Sequence, residues 1–523
     1  MEKEKHWFEY KGISIPTKFK LTQEQSKALK EIIEHVKNEY SPITLSGYAG
    51  SGKSSLIVYL QKYLKVYSGN NKFKGYNFIY SAPTHAATVY LGLNLGFLPF
   101  TVQSIMINRY NHKKRCFEKK LSSKFTNALD IFKKNILIVD ESSMLSRKDV
   151  SDLVRLMKEV NVNIVFMGDK AQIPEITKEK EKHVSDVFTK FKLVQLTEVK
   201  RTSDADILKI LTEIRKNPTG TLPLIDNTEN IKFFNAGQKR EFFDTFIEEY
   251  KKEPDNTVFI SYTNQSIQAF NKKVKEELYN NPIGLNIGES IIGYGGYNNK
   301  NIVNGNLANS IKFQVTSIKK INTFVQISGY SKVLSLIDKD LSVMNTTYYP
   351  LSDKDSIVFD NFTQEMYDKN NTIISGLFKS IFDAKTTAIQ TDKWKQYYAK
   401  IDELTSSFKS IDLGNTYIYV PSANRMELYI PSNKIHTKIK QEFPELIIEK
   451  GIDYGYGITI HKSQGATYNN IFFNSLSTET NNNPLLENDV QVGTEGNSLN
   501  YVGMSRAAKK LFVLYGSKVK HLN

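Results

Sequence analysis

The residues from Gly47 to Ser54 have the types and spacing of a loop that binds phosphate. They read Gly-Tyr-Ala-Gly-Ser-Gly-Lys-Ser and match the pattern G-x-x-x-x-G-K-[ST]. Glycines let backbone N–H groups turn toward phosphate oxygens, and the N-terminus of a following helix adds a positive dipole end. In such a loop Lys53 reaches the β- and γ-phosphates, and the Ser54 hydroxyl binds Mg²⁺. The stretch therefore predicts binding of ATP or a related triphosphate together with Mg²⁺.

A pair of carboxylates, Asp140 and Glu141, ends the unbroken apolar run at 136–139. Such a run predicts a buried parallel strand, and α/β proteins place reactive groups at the carboxyl ends of these strands. We expect Asp140 to hold Mg²⁺, through water, and Glu141 to orient and deprotonate an attacking water. Adjacent carboxylates are also common on surfaces, and the strand before them is what favours the chemical interpretation.

Further polar residues could act on the terminal phosphate. Gln172 follows a second apolar strand at 163–168 and could donate to a γ-phosphate while accepting from water, although the same residues also suit an ordinary turn. Arg201 and Arg506 lie in other chain segments. A guanidinium supplied across an interface stabilises charge on the transferring phosphoryl group and makes cleavage depend on closure. A lone arginine is more often a surface residue, and the context at 501–507 is what favours Arg506.

A polar segment from His461 to Gly465 follows the apolar residues 457–460. Its hydroxyl and amide side chains suit contacts with phosphates and base edges of a nucleic acid. The alternative is a plain connection between a strand and a helix, with glycine for the turn.

The elements that position these groups alternate between strand and helix. A helix capped by Thr22 is predicted at 21–40, and strands are predicted at 43–46, 76–80, 136–139 and 163–167. This alternation predicts a doubly wound α/β domain with a parallel sheet. A second α/β pattern begins at 201–300, with a strand at 257–262, and returns at 445–523. Between its two parts, short alternating segments at 302–355 suggest a small barrel, followed by helical spacing at 360–412 and strand-like residues at 416–420.

The composition of the chain limits which binding partners and which cellular compartment can be expected. The chain has 523 residues, too many for one core, and its 70 Lys and Arg against 55 Asp and Glu give a net charge of +15. This excess favours a polyanion, and nucleic acid is preferred because no apolar run reaches the length of a membrane span. A single cysteine, Cys116, fits a reducing compartment, and the scattered histidines show no zinc-type spacing. We therefore expect a cytoplasmic protein with no membrane contact and Mg²⁺ as its metal.

In this order, the motifs resemble those of superfamily 1 helicases, nearest the 5′→3′ branch of Dda- and RecD-type enzymes. The resemblance covers roughly residues 21–201, 257–290 and 445–515. It implies that Gln25 reads the adenine. It also implies a nucleotide site made of the residues Gly50, Ser51, Gly52, Lys53, Ser54, Ser55 and Gly465. Asp140, Glu141, Gln172, Arg201 and Arg506 match its hydrolysis and coupling residues.

The same resemblance implies two sets of contacts with single-stranded DNA. Pro83, Thr84 and His85 match a strand-contacting motif in which the residue at His85 packs against bases. Thr459, His461 and Gln464 fall in a motif that bridges ATP and DNA. Gln103, where relatives often have His, and Gly503, where Ala is usual, depart from the pattern.

The implied fold is a tandem of two RecA-like P-loop domains. The first spans 1–103 and 131–200 around a small wedge-like insertion at 104–130, and the second spans 201–301 and 446–523. An inserted SH3-like barrel with a helical, tower-like segment occupies 302–445, and it matches the family by position only.

The implied function is that of a monomeric, ATP-dependent DNA helicase. It would step 5′ to 3′ along single-stranded DNA and open forked DNA in replication, recombination or repair, with single-stranded-DNA-binding protein or other replication proteins as partners. Two alternatives stay open. One is an RNA-directed superfamily 1 helicase, and the other is a nucleotide-switched DNA-binding subunit that does not unwind by itself.

Overall fold

A computed structural model describes most of the chain outside the region between 349 and 451. The described residues are 6–69, 75–111, 116–175, 181–199, 204–216, 221–279, 286–293, 297–298, 306–307, 311–321, 324–337, 339–348, five positions between 392 and 399, and 452–522. Arg201, nearly all of the predicted helical segment 360–412 and the strand-like segment 416–420 lie outside them.

Residues 6–199 form a parallel sheet with its crossover helices and two β-hairpins. In chain order the elements are β1 (His6–Tyr10), β2 (Ile13–Thr17), α1 (Gln23–Asn38), β3 (Ile43–Gly47), α2 (Lys53–Ser68), β4 (Tyr76–Ala82), α3 (His85–Leu95), β5 (Phe100–Thr101), α4 (Val102–Ile105), β6 (Met106–Asn111), β7 (Cys116–Leu121), α5 (Ser123–Thr126), β8 (Lys134–Val139), α6 (Arg147–Glu159), β9 (Val162–Gly168), β10 (Lys182–His183) and β11 (Lys192–Leu196).

The first sheet has the strand order β11-β3-β9-β8-β4-β5, and its neighbours all pair in parallel. Its central strands are buried along their whole length, as the apolar runs predicted. Because β3, β9 and β8 are adjacent and parallel, their carboxyl ends meet at one edge of the sheet. This edge carries the phosphate loop, Asp140 and the turn that begins at Asp169.

The helix predicted before the phosphate loop is present as α1. The Thr22 hydroxyl accepts a hydrogen bond from the Gln25 N–H at 3.1 Å, and the Gln25 side-chain oxygen accepts one from the Thr22 N–H at 3.1 Å. This reciprocal capping box satisfies two donors at the helix N-terminus. It also fixes the direction in which Gln25 points.

Residues 204–279 and 452–522 together form a second parallel sheet. The elements are α7 (Ala205–Lys216), β12 (Leu222–Leu224), β13 (Ile231–Asn235), α8 (Lys239–Lys252), β14 (Thr257–Ser261) and α9 (Asn264–Leu278), and, after the insertion, β21 (Ile452–Tyr454), β22 (Gly457–Thr459), β23 (Tyr468–Asn474), β24 (Pro484–Glu487), β25 (Val490–Thr494), α12 (Glu495–Met504), β26 (Ala507–Tyr515) and β27 (Val519–His521). The strand order β13-β26-β23-β14-β22 confirms the predicted α/β class with parallel sheets.

The inserted segment forms an antiparallel sheet. Its described elements are β15 (Ser290–Gly293), β16 (Tyr297–Asn298), β17 (Asn306–Leu307), β18 (Lys312–Ile321), β19 (Phe324–Tyr330), α10 (Lys332–Ser335), α11 (Lys339–Ser342) and β20 (Val343–Tyr348). The strand order is β20-β19-β18-β15-β21. β15 and β21 thus pair with the insertion, although the sequence placed their residues in the second RecA-like domain. The domain division and the SH3-like closure stay predictions.

The segment at 104–130, predicted as a small insertion, contains a regular hairpin. β6 and β7 pair antiparallel from Met106 opposite Leu121 to Asn111 opposite Cys116. Phe125, in the short helix after it, is fully buried in the core of the first sheet and anchors the base of the hairpin. The sequence did not predict the two strands on either side of the basic residues 113–115. The wedge role of this segment stays a prediction.

The two parallel sheets belong to halves of the chain that pack against each other. Ala49 and Ile173, from the first half, lie in the same apolar cluster as the core of the second. The β24–β25 hairpin of the second half adds a strand to β10 of the first, and Leu485 is buried in the first half's core. The cleft between the carboxyl edge of the first sheet and the second half is therefore closed.

Candidate nucleotide and nucleic-acid site

The phosphate loop connects β3 to α2 around two glycines with left-handed backbone. Gly50 has φ of 82° and Gly52 has φ of 88°, values that residues with a side chain rarely adopt. The Lys53 ammonium donates to the carbonyl oxygens of Gly47 at 2.7 Å and Tyr48 at 3.2 Å, so its charge lies within the curl of the loop. The predicted loop geometry is thus present, with Ser51 buried and Ser55 half-buried beside it.

Gln25 contacts this loop directly. Its side-chain amide donates to the Ser51 carbonyl at 3.0 Å, while its oxygen is held by the cap of α1. A Cβ on Gly52 would come within 2.9 Å of the Gln25 amide nitrogen, so glycine is also needed there for space. The glutamine is buried and orientated next to the nucleotide loop, which suits the base-reading role that the resemblance implied.

Asp140 and Ser54 provide oxygen atoms suited to Mg²⁺. The Ser54 hydroxyl donates to Asp140 Oδ2 at 3.4 Å, and the Glu141 N–H donates to Asp140 Oδ1 at 2.8 Å. Burial, and secondly the Glu141 charge, raise the pKa of Asp140 to about 6. A buried carboxylate destabilised in this way gains from a divalent cation, and hard cations prefer oxygen ligands. Among the described residues, no group of three or more His, Cys, Asp or Glu side chains could hold a metal ion by itself.

The backbone at Glu141 is in an unusual conformation. Its φ of 49° is left-handed, which costs a residue with a Cβ roughly 1–2 kcal/mol. Residues held in this region cluster at functional sites. The conformation turns the chain sharply after β8, directly after Asp140.

Arg506 and Gln172 approach the same edge from opposite halves of the chain. Arg506 is 1% exposed, and its Nε donates to the Val502 carbonyl at 3.0 Å. Burial lowers the pKa of Arg506, and the Glu141 carboxylate opposes that shift, so the two charges are close enough to interact. Arg506 Nη2 and Gln172 Oε1 are buried without a hydrogen-bond partner among the described residues. The Arg506 nitrogen could donate to a bound phosphate, whereas the Gln172 oxygen could accept a hydrogen bond from a water.

The first predicted nucleic-acid contact lies at the start of α3. Pro83 is buried, and the Thr84 hydroxyl caps the helix by accepting from the Ala87 N–H at 3.2 Å. His85 follows at the surface, and its partial burial lowers its pKa below the ordinary value. A neutral imidazole suits stacking on bases better than pairing with phosphate.

The second predicted contact follows β22. Thr459 is nearly buried, and the His461 ring lies 5.9 Å from the Tyr262 ring, with its pKa lowered by burial. Gln464 is fully buried, and both ends of its amide lack a partner among the described residues. Gly465, with φ of 79°, approaches α3, where a Cβ would lie 3.5 Å from the Ala87 Cα. Gln464 therefore faces the interface between the halves in this conformation rather than open solvent.

Comparison with known proteins agrees with this geometry. A family model described as an AAA domain matches residues 20–236. The ATP-dependent DNA helicase dda of Enterobacteria phage T4 is 29% identical over 280 residues, which are 52% of this chain and 60% of that protein. The chain is thus similar to a DNA helicase over about half of its own length. The matched region thus spans less than two thirds of the phage protein's length.

Other similar proteins align with this chain over nearly its whole length. An uncharacterised protein of Acanthamoeba polyphaga mimivirus is 23% identical over 525 residues, covering 94% of this chain and 98% of that protein. Among solved structures, the Pif1 helicase from Bacteroides in complex with ADP-AlF3 and single-stranded DNA is 15% identical. It aligns over 95% of this chain and 92% of that one with a TM-score of 0.47.

The sequence did not predict a polar cluster that lies where the two halves of the chain meet. Asp169 is fully buried and contacts Arg215 of α7 and Tyr501 of α12. The Tyr501 hydroxyl also accepts a hydrogen bond from the Ala49 N–H of the phosphate loop at 3.1 Å. Asp169 stands beside Gln172 in a segment that the sequence did single out. Nothing in the sequence around Arg215 indicated a functional role, because the residue lies in the last turn of an ordinary amphipathic helix.

Proposed function

We propose that this protein is an ATP-dependent DNA helicase that steps along single-stranded DNA from 5′ to 3′ and separates duplex at forks. The observation that carries the proposal is that the second half of the chain completes the site of the first. The Tyr501 hydroxyl accepts from the Ala49 N–H of the phosphate loop at 3.1 Å, and the buried Arg506 charge interacts with that of Glu141. A site completed across an interface lets hydrolysis open and close the interface.

The residues of the chain divide the work as follows. Lys53 and the loop N–H groups would hold the phosphates, and Ser54 and Asp140 would hold Mg²⁺, which when bound neutralises charge on phosphate oxygens. Glu141 would orient and deprotonate the water, Gln172 would contact the terminal phosphate, and Arg506 would stabilise its charge in the transition state. Arg201, outside the described residues, is proposed for the same task.

Directional movement requires that the two nucleic-acid contacts bind the DNA strand alternately. Thr84 and His85 belong to the first half, whereas Thr459 and Gln464 belong to the second. If closure changes the distance between them, each ATP turnover shifts the strand in one direction. Stacking of bases on side chains, at about 1–3 kcal/mol per base, is tolerant of sequence and suits a motor that must pass over any base.

Nucleic-acid dependence of the ATPase tests the proposal directly. We expect turnover by the purified protein to rise at least about tenfold with oligo-dT, because the strand favours the closed cleft. Binding should weaken steeply with salt, since the net charge of +15 implies release of counterions from phosphates. Matched DNA and RNA oligomers provide the comparison of sugars. ATPase that ignores every nucleic acid would contradict a motor.

Fork substrates then separate the remaining alternatives. The protein alone should unwind a fork with a 5′ tail and fail on one with only a 3′ tail. Unwinding from the 3′ tail would reverse the proposed polarity. ATPase that responds to DNA without any unwinding would favour a nucleotide-switched binding subunit.

Glu141→Gln should bind ATP and hardly hydrolyse it. The amide keeps the size of the side chain and cannot accept the proton of the attacking water, so kcat should fall about 10²–10⁴-fold. Binding of a fluorescent ATP analogue should stay within about threefold, since Lys53 and the loop are unchanged. Glu159→Gln, at an exposed carboxylate on α6, is the matched control and should turn over normally. A normal rate in the Glu141 variant would remove Glu141 from the mechanism.

A further inference from the structure

Arg215 contacts both the phosphate loop and the turn that carries Gln172. Its guanidinium lies 3.7 Å from the centre of the Tyr48 ring, in the loop, and 5.0 Å from that of Tyr501. Its Nη1 donates to Asp169 Oδ1 at 2.5 Å. Arg215 comes from α7, which packs under the second sheet, while Tyr48 and Asp169 follow strands of the first. One side chain therefore joins two active-site segments of one half to a helix of the other.

Asp169 shapes the turn that holds Gln172. Its Oδ1 accepts from the Ala171 N–H at 3.1 Å, and its carbonyl accepts from the Gln172 N–H at 3.0 Å. Its Oδ2 accepts from the Tyr501 hydroxyl at 2.8 Å. Both carboxylate oxygens are thus engaged by groups of the second half. Movement of α7 or α12 must disturb either these bonds or the turn.

We propose that Arg215 is a positioning residue that sets the Gln172 turn and the phosphate loop in their hydrolysis-competent places only when the two halves are closed. The inference rests on the proposed function and adds a coupling route to it. Arg506 acts on the phosphate itself, whereas Arg215 acts through Asp169 and Tyr48. Closure of the two halves would therefore affect ATP hydrolysis through two separate sets of contacts.

The chemistry of the cluster requires arginine. A planar guanidinium can stack on an aromatic ring while its edge donates to a carboxylate, and an ammonium cannot do both. The Arg215 side chain is 16% exposed and Asp169 is fully buried. A buried pair of this kind adds little net stability compared with apolar residues, because desolvation offsets the attraction. The ion pair between Arg215 and Asp169 would instead favour one arrangement of the two halves over others.

The test is Arg215→Lys, which keeps the charge opposite Asp169 and loses the flat stack on Tyr48. We expect the DNA-stimulated kcat to fall about tenfold, within the usual range of coupling between sites. The ratio of DNA-stimulated to basal ATPase should fall with it. Binding of a fluorescent ATP analogue should stay within about threefold, and the melting temperature should hardly change. A merely structural role would lower the melting temperature and leave the stimulation ratio unchanged.

Controls and a second variant make the outcome decisive. Lys216→Ala, at an exposed neighbour paired with Glu213 on the same helix, should behave as wild type. Arg215→Lys combined with Tyr501→Phe should cost less than the product of the single losses, because both side chains contact the phosphate loop as well as Asp169. If Arg215→Lys does not fold, Asp169→Asn tests the other contact of Arg215 by removing the charge of its carboxylate partner, with an expected loss of similar size.

The possible failures are distinguishable. A wild-type protein without DNA-stimulated ATPase would remove the proposed function and the Arg215 role together. A stimulated wild type, with Arg215→Lys and Asp169→Asn unchanged in kcat and in the stimulation ratio, would overturn only the role of Arg215. Independent, multiplying losses in the double variant would also overturn it.

Discussion

Lys53→Ala should abolish ATP turnover while the protein still binds single-stranded DNA. The lysine is the positive charge inside the phosphate loop, where its ammonium contacts the Gly47 and Tyr48 carbonyls. Without it, charge developing on the phosphates loses its nearest cation, and kcat should fall on the order of 10³-fold. DNA binding should persist because Thr84 and His85 lie on a separate strand end.

The fold should tolerate this change. Lys53 is the first residue of α2, and alanine has the highest helix propensity, so the melting temperature should stay within a few degrees of wild type. A coupled ATPase assay and fluorescence anisotropy with a labelled oligonucleotide provide the two readouts. Lys65→Ala, exposed near the end of the same helix, is the matched control. Retained turnover in the Lys53 variant would overturn the assignment of the nucleotide site.

The sequence predicted the nucleotide half of the site because its signals are local. The strand at 43–47, the glycines and Lys53 are consecutive, and so are the apolar run and Asp140. Parallel strands with buried faces leave little choice of where their carboxyl ends lie, so these groups had to meet. The cap on α1 was predicted for the same reason, since Thr22 and Gln25 are only three residues apart.

Contacts between the halves could not be predicted in this way. Asp169, Arg215 and Tyr501 are far apart in the chain, and their meeting depends on how the second sheet docks on the first. The pairing of β24 with β10 could not be predicted either. Both segments are short, and neither has a sequence pattern that indicates a strand without its partner. The resemblance pointed to Arg506 but gave no account of its burial or of its missing hydrogen bond.

The burial of Arg506 separates two explanations of why an arginine stands there. The residue is 1% exposed, one terminal nitrogen lacks a hydrogen-bond partner among the described residues, and burial lowers its pKa. A buried charge of this kind lowers the free energy of unfolding unless a partner offsets the cost of removing the charge from water. Selection for stability alone would favour an apolar side chain of similar size. The burial of Arg506 therefore supports the proposal that an anion binds beside it.

Arg506→Met should leave the melting temperature of the free protein unchanged or raise it, and should nearly abolish ATP turnover. Methionine fills a similar volume and removes the cost of keeping an incompletely hydrogen-bonded charge out of water. An arginine that contacts the transferring phosphate is worth about 10³–10⁵ in kcat. We therefore expect stability and activity to change in opposite directions, which thermal unfolding and steady-state ATPase measure on the same sample.

Arg240→Met is the matched control, because Arg240 is exposed and pairs only along its own helix with Asp244. It should change neither quantity appreciably. If Arg506→Met loses turnover together with several degrees of melting temperature, the arginine holds the interface and its effect on hydrolysis is indirect. If turnover stays normal, Arg506 does not contact the phosphate, and the terminal charge must be stabilised by other groups, of which Arg201 is the next candidate.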